Sequence, residues 1–314
     1  MPQKPRKPAV DYAIYLIVRA AVCFLNAVPI AVALRFADGL AWVAFKIDKR
    51  HREVARENVR IAFPALAADP AACDRLVRAC YRHYCTMLVE IVCLPRRMHL
   101  HNWRRYTDER NLGRLAPHLI SDRGLLLVTC HYGNWEVAGY ITGLTGHRGY
   151  AIARVLDNPH VERFFKKFRQ KTGQTILAKT GDFEQIQGIL TGGGKIATLG
   201  DQDAGPKGLF VDFFGRPAST HKAVALMAIQ YDVPLVVLSV VRLARPTKFC
   251  LWIADVIDPR DYQSARGDVV RQMTERFTRA FETMIREHPE QYFWLHRRWK
   301  HQPPVRKAKA AAPA

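Results

Sequence analysis

Leu125 to Thr129 (LLLVT) is an uncharged apolar run of strand length that breaks at once into CHYGNWE. Such a run reads as one buried strand. His131 therefore stands where a strand ends, the place where open α/β sheets gather their reactive groups. Gly133 lets the backbone turn tightly, and Asn134 is a good N-cap for a helix starting at Trp135. Glu136 then falls in the first helical turn, within reach of the imidazole. A carboxylate there fixes the ring tautomer and stabilises the imidazolium. The stretch predicts a general base, His131, oriented by Glu136. The alternative is a structural histidine hydrogen-bonded at a strand end.

Strand and helix patterns alternate after this point, which predicts an α/β fold. Tyr150 to Arg154 reads as a short strand ending in an arginine, and Asn158-Pro159 opens a helix with a cap and a first-position proline. Thr175 to Leu177 is a strand, Phe183 to Leu190 a helix, and Lys195 to Leu199 a strand that delivers Gly200-Asp201-Gln202-Asp203. Two carboxylates at a strand end can bind a metal, orient a substrate hydroxyl or hold an arginine. Gly208 to Ser219 reads as an apolar loop or hairpin, followed by a helix from His221 to Gln230 and strands over Leu235–Val241 and Phe249–Val256. Val270, Met273, Phe277, Phe281 and Met284 form one stripe of a helix over Val269–Ile285. Upstream, residues 49–120 read as helical and mostly solvent-facing, with apolar groups at helical intervals over Cys73 to Leu94 and Pro95 as the stop.

The N-terminal region has a different character. Tyr12 to Ile47 is apolar with few charges, but its uncharged centre, Ala20 to Leu34, is only 15 residues long and contains Pro29. That falls short of the roughly 20 residues that cross a bilayer cleanly. With Arg19 snorkelling, Tyr12 to Leu34 reaches that length. A membrane anchor, spanning or embedded, is expected rather than a buried hairpin. The expected division is an anchor over 1–47, a catalytic domain over 48–300 and a disordered basic tail over 301–314.

The chain of 314 residues carries 48 basic and 28 acidic side chains, a formal charge of +20. That excess suggests a polyanionic partner, such as anionic lipid or a phosphorylated substrate. No nucleic-acid motif accompanies it. The seven cysteines include no C-x-x-C pair, and Cys80, Cys85, His83, His99 and His101 do not have metal-ligand spacing. Buried free thiols are expected and no metal. The triple glycine before Lys195 precedes a strand rather than a helix, so it is no nucleotide loop.

Five stretches together carry a family resemblance: HYGNWE (131–136), RVLDNP (154–159), GDQDAG (200–205), FFGRPAST (213–220) and PEQYFWLHRRWK (289–300). In order and spacing the chain resembles the bacterial lipid A biosynthesis acyltransferases, within the lysophospholipid acyltransferase superfamily, over nearly its whole length. Val155 stands where many members carry proline. The resemblance implies a glycerolipid-acyltransferase-like mixed sheet flanked by helices behind an N-terminal membrane-anchoring helical segment. It implies acyl transfer from acyl carrier protein, or coenzyme A, to a phosphorylated glycolipid, with no cofactor. It places the enzyme at the inner (cytoplasmic) membrane with its catalytic domain facing the cytoplasm. His131 and Glu136 fall on the family's His-x4-acid motif, and Gly133, Asn134, Arg154, Asp201, Gln202, Asp203 and Thr220 stand as substrate-binding candidates.

The residue chemistry is compatible with that assignment. An alkanol is barely nucleophilic at neutral pH, and a histidine that takes its proton during attack contributes about 100- to 10,000-fold. No serine or cysteine lies in a nucleophile elbow, and Cys130 should point to the opposite face of its strand from His131. Direct transfer is expected, with backbone amides around Gly133 as oxyanion donors and Arg154 on an acceptor phosphate. A phospholipid-type acyltransferase, a hydrolase and a non-enzymatic basic membrane protein are the competing readings. The first usually carries an F-P-E-G-type stretch where GDQDAG stands.

Overall fold

The structure is a computed structural model that describes residues 7–147, 149–153, 156–170, 173–178, 182–244, 247–264 and 266–304. Two apolar helices open it, α1 (Pro8–Ala27) and α2 (Ile30–Ile47), with Pro29 at the N-cap of α2. Ala33, Ala37, Ala41 and Phe45 recur every four residues on α2 and are all buried. They pack against α5, and the opposite face of α2 keeps Phe36, Leu40, Val43 and Ile47 exposed. In α1 only Leu25 is buried, and it is the one helix among the described residues long and apolar enough to cross a membrane. Its first half nonetheless touches the body: Asn158 Nδ2 donates to the Asp11 carbonyl at 2.8 Å, and the rings of Tyr12 and Tyr15 meet His160.

Helix α3 (Lys49–Ala62) is capped by Asp48, whose carboxylate accepts from the His51 amide. After the short α4 (Pro64–Ala67), Asp69 caps α5 (Pro70–Cys93), which has Pro70 at its first position. The expectation of a mostly solvent-facing region fails for α5. Cys73, Val77, Cys80 and Val89 enter the main core, because α2 covers one side of the helix and the C-terminal segment another. A short strand, β1 (Thr107–Arg110), lies in a stretch with no clear strand pattern, and α6 (Ala116–Ile120) follows it.

From there the predicted alternation is realised as β2 (Leu125–Thr129), α7 (Trp135–Leu144), β3 (Gly149–Ala153), α8 (Pro159–Gln170), β4 (Gln174–Ala178), α9 (Phe183–Thr191) and β5 (Lys195–Leu199). The expected hairpin is β6 (Leu209–Phe213) against β7 (Arg216–Thr220). Then come α10 (Ala223–Gln230), β8 (Leu235–Arg242), β9 (Phe249–Ile257) and α11 (Val269–Glu287). The main sheet has seven strands in the order β1-β9-β8-β2-β5-β3-β4, all parallel contacts except β8 with β9. The two most apolar runs, β2 and β8, occupy its middle, as strands buried on both faces should. The mixed sheet flanked by helices is therefore as expected.

Alternation along β2 divides the core. Leu126, Val128 and Cys130 join the large cluster that contains Phe277 and Phe281 of α11. Leu125 and Leu127 face the other way, with Leu115, Val236 and Leu238.

Candidate active site

Sheet register assembles the site. β2 and β5 are parallel neighbours with Thr129 opposite Leu199. Residues two positions further on, His131 and Asp201, therefore leave the same edge of the sheet side by side although 70 residues separate them. Asp201 Oδ2 accepts from the His131 amide at 3.0 Å, and Asp201 Oδ1 pairs with His131 Nδ1 at 2.8 Å. A carboxylate only accepts, so the Nδ1 proton lies in this bond and Nε2 presents its lone pair. Gln202 Nε2 lies 3.4 Å from Nε2. Burial pushes the Asp201 carboxyl up, but the facing His131, the hydrogen bonds from its ring and amide, and the Arg298 charge together hold it below the usual carboxylate range. Asp201 is the ionised partner of this ring.

This geometry corrects the expected pairing. Glu136 does lie in the first turn of α7, and Asn134 does cap it, accepting from the Val137 amide at 3.2 Å. The Glu136 carboxylate, however, is held by Arg169 of α8, with Nε to Oε2 at 3.0 Å and Nη2 to Oε1 at 2.5 Å. The imidazole of His131 instead meets the Trp135 ring edge-on, with centroids 5.0 Å apart.

The loop that carries His131 is stitched down on every side. Gly133 has φ +65°, and an added Cβ would lie 2.2 Å from the Val240 carbonyl oxygen. Only glycine meets both conditions. The Gly133 amide donates to Gln291 O, the Asn134 amide to Val240 O and the His131 amide to Asp201. The expected oxyanion donors around Gly133 are thus already engaged. Trp135 and Glu136, as the first two residues of α7, have amides with no intrahelical acceptor.

A buried polar cluster that the sequence reading did not single out lies behind this loop. Glu90, fully buried on α5, takes the guanidinium of Arg242 through both carboxylate oxygens, Nη2 to Oε2 at 2.7 Å. Asn134 Nδ2 donates to Glu90 Oε2 at 3.0 Å. Arg242 Nη1 donates to His83 Nδ1 at 2.6 Å, which leaves the ring's proton on Nε2 to donate to Gly133 O at 3.1 Å. Burial, then the Arg242 charge, hold His83 well below its ordinary value against the opposing Gly133 bond, so it is neutral. The available signal was a single carboxylate inside the apolar run Met87–Val92, and an arginine closing the apolar run of β8.

The remaining candidates divide clearly. Asp203 Oδ2 pairs with His301 Nδ1 at 2.7 Å, and the Asp203 amide donates to His296 Nε2 at 3.0 Å. Thr220 is fully buried and its hydroxyl accepts from Arg298 Nη2 at 2.6 Å, so it is an internal partner rather than a free substrate contact. Asn134 is likewise buried by its cap and Glu90 bonds. Arg154 lies outside the described residues. Cys130 is buried on the opposite side from His131, and burial followed by the Asp201 charge pushes its thiol well above the ordinary value. Among the described residues, no group of three or more His, Cys, Asp or Glu side chains is arranged to hold a metal.

Trp135, which the ring meets, also lines an apolar cavity of about 370 Å³. Trp135, Thr129, Glu136 and Arg169 line it at the level of the strand ends, and Leu127, Ala197 and Leu238 line it along the sheet. Leu115, Leu119 and Lys195 line it toward the start of β5. From Thr129 down to the level of Leu125 and Lys195 is four strand residues, or about 13 Å.

Residues 1–301 match the family described as bacterial lipid A biosynthesis acyltransferase, and the chain belongs to that family. The lipid A biosynthesis palmitoleoyltransferase of Escherichia coli (strain K12) is 26% identical over 267 residues, covering 81% of this chain and 80% of the relative. The lipid A biosynthesis lauroyltransferase of the same organism is 24% identical over 289 residues, 88% and 87% of the two chains. The phosphatidylinositol mannoside acyltransferase of Mycolicibacterium smegmatis is 25% identical over 233 residues, 72% and 73% of the two. The protein is an acyltransferase, and its family acts on lipid A and related glycolipids.

Proposed function

We propose that the protein transfers a fatty acyl chain from a carrier thioester, acyl carrier protein or coenzyme A, to a hydroxyl of a phosphorylated lipid A precursor or related glycolipid. The observation that carries this reading is the His131 ring, held through Nδ1 by a buried carboxylate and set against Trp135, which lines an apolar cavity. His131 Nε2 takes the acceptor hydroxyl proton as the oxygen attacks the thioester carbonyl. A C–O bond forms, the tetrahedral oxyanion collapses, the C–S bond breaks, and the imidazolium returns its proton to the leaving thiolate. Asp201 keeps Nε2 unprotonated before attack and stabilises the imidazolium after it. The first-turn amides of Trp135 and Glu136, together with the positive end of α7, suit the oxyanion. Glu136 acts through Arg169, fixing a guanidinium at the cavity. Arg154, Gln202 and Asp203 are assigned to the acceptor.

The cavity suits the acyl chain. A polymer backbone extends about 1.2 Å per bond, so a depth of about 13 Å takes roughly ten carbons beyond the strand ends. The outward faces of α1 and α2 support attachment to the inner membrane, with the catalytic domain on the cytoplasmic side where carrier thioesters are made. Residues 1–47 then attach the enzyme, 48–300 perform transfer, and 301–314 form a basic tail. The test is product mass spectrometry of the purified enzyme with a phosphorylated lipid A precursor, offered an acyl carrier protein thioester and the matching coenzyme A thioester separately. One added acyl chain is the expected product. Release of free fatty acid with no acylated product would replace this reading by hydrolysis.

A further inference from the structure

A second cleft, sharing no lining residue with the acyl cavity, lies between α2 and α5. Its volume is about 410 Å³, and its lining includes Asp38, Trp42, Phe45, Lys46, Arg78 and Arg82. Arg82 is paired with Asp38, at 2.6 Å and 3.1 Å, so these two charges cancel. Lys46 and Arg78 remain. Among the described residues neither forms an ion pair with a carboxylate; Lys46 Nζ lies 6.0 Å over the Trp42 ring and Arg78 4.9 Å over the Phe45 ring. Asp74, one turn before Arg78, feels its charge but is hydrogen-bonded to Arg56 instead. Two cations with no hydrogen-bonded carboxylate, each backed by an aromatic ring, make a receptor for an anion with an attached organic group.

The surroundings identify the source of that anion. Trp42 and Ile47 are 65% and 71% exposed, and with Phe36, Leu40 and Val43 they continue the apolar outward face of α2 up to the rim of the cleft. Lys46 stands in the last turn of that helix, and Lys49 and Arg50 follow it. An apolar helix face, then an exposed tryptophan, then a group of cations is the order met on passing from acyl tails to headgroups. We propose that this cleft binds the phosphate headgroup of an anionic bilayer lipid, with the guanidinium of Arg78 and the ammonium of Lys46 on the phosphate and Trp42 at the interface. A glycerophosphate headgroup suits a cleft of this size. The site would orient the enzyme on the membrane independently of the acyl-transfer centre. It rests on the membrane-bound reading given above.

Full-length protein freed of detergent is partitioned onto vesicles of phosphatidylcholine alone and of phosphatidylcholine with a quarter phosphatidylglycerol. Three variants accompany the wild type: Lys46→Gln with Arg78→Gln, Lys46→Gln alone, and a charge-matched control outside the cleft, Arg266→Gln with Arg279→Gln. The wild type should prefer the anionic vesicles, and the cleft double variant should lose about 10- to 30-fold of that preference while binding neutral vesicles unchanged. The Lys46 variant, whose ammonium lies over the exposed Trp42 ring, should lose about fivefold, which covers the case in which the double variant folds poorly. Equal losses in the control would assign the effect to diffuse charge and overturn the cleft. So would a cleft variant that keeps the full preference. A wild type that binds neither vesicle would overturn the membrane reading itself, an outcome distinct from the other two.

Discussion

His131 and Asp201 each lie two residues past the end of one of two adjacent parallel strands, and a 2.8 Å hydrogen bond joins the ring to the carboxylate. In the proposed mechanism this relationship makes Asp201 the group that fixes which ring nitrogen carries the proton. In Asp201→Asn the amide keeps the shape, but its N–H can donate to Nδ1 and drive the ring proton onto Nε2, where the base must be free. Turnover should fall by about 10²- to 10⁴-fold with little change in acceptor KM. His131→Ala should fall at least as far without loss of folding. Steady-state kinetics of the purified variants decide it; Asp201→Asn turning over like wild type beside a dead Glu136→Gln would return the orienting role to Glu136.

Glu136 and Arg169 are coupled instead through their own ion pair, partly buried at 15% and 21% side-chain exposure. Removing either member breaks this pair and frees the remaining side chain to shift, so Glu136→Gln and Arg169→Gln should each impair transfer, and the double variant should be less damaged than the two losses added. A coupling of about 0.5–3 kcal/mol in a double-mutant cycle of kcat/KM is expected. Strict additivity would mean that the two side chains act separately.

Gly133 offers a test of the loop itself. Alanine there must adopt φ +65° and bring its Cβ to the Val240 carbonyl, which cannot move without disturbing β8. Gly133→Ala should destabilise the protein by about 1–3 kcal/mol and displace the His131 ring. Urea denaturation together with turnover checks both halves. An alanine variant as active as the wild type would show that the loop tolerates a wider turn than its bonds suggest.

His83 predicts a dependence of stability on pH. Burial and the Arg242 charge keep its folded pKa well below the unfolded value, so below about pH 6.5 the unfolded chain binds a proton that the folded chain refuses. The group's stabilising effect is complete above that pH and is lost as pH falls, by up to about 1.4 kcal/mol per pH unit. Replacing His83 with glutamine, which retains an N–H for Gly133 O, should flatten this part of the stability curve between pH 7 and 5. An unchanged slope in the variant would assign the acid sensitivity to other groups.

Much of this was legible in the sequence because it is local. The uncharged run of β2, the Asn134 cap of α7, the Asn158-Pro159 start of α8 and the stripe of α11 each need only neighbours in the chain to be recognised. The partner of His131 is not local. Asp201 was visible as a strand-end carboxylate, but nothing in either run specifies that β5 lies beside β2 in register. Proximity in sequence favoured Glu136, whose position on α7 carries it instead to Arg169 on α8. Glu90 was obscured for a related reason, since its partner Arg242 is 152 residues away.

The cavity proposed to hold the acyl chain supplies the last prediction. Ala197 lines it midway along β5, between Leu199 at the strand end and Lys195 at its start, and Ala151 of β3 lies opposite it in register. A larger side chain there fills space that the cavity leaves empty, and the surrounding strands cannot spread to restore it. Ala197→Leu should therefore shorten the preferred acyl chain, by about two to four carbons at about 1.2 Å per bond. Long-chain donors should lose kcat/KM while the shortest keep it, because the reacting carbonyl remains at His131. The measurement is a competition among acyl thioesters of graded length, read from the product masses. A lower rate with an unchanged length profile would mean that the chain lies elsewhere and that this cavity does not measure it.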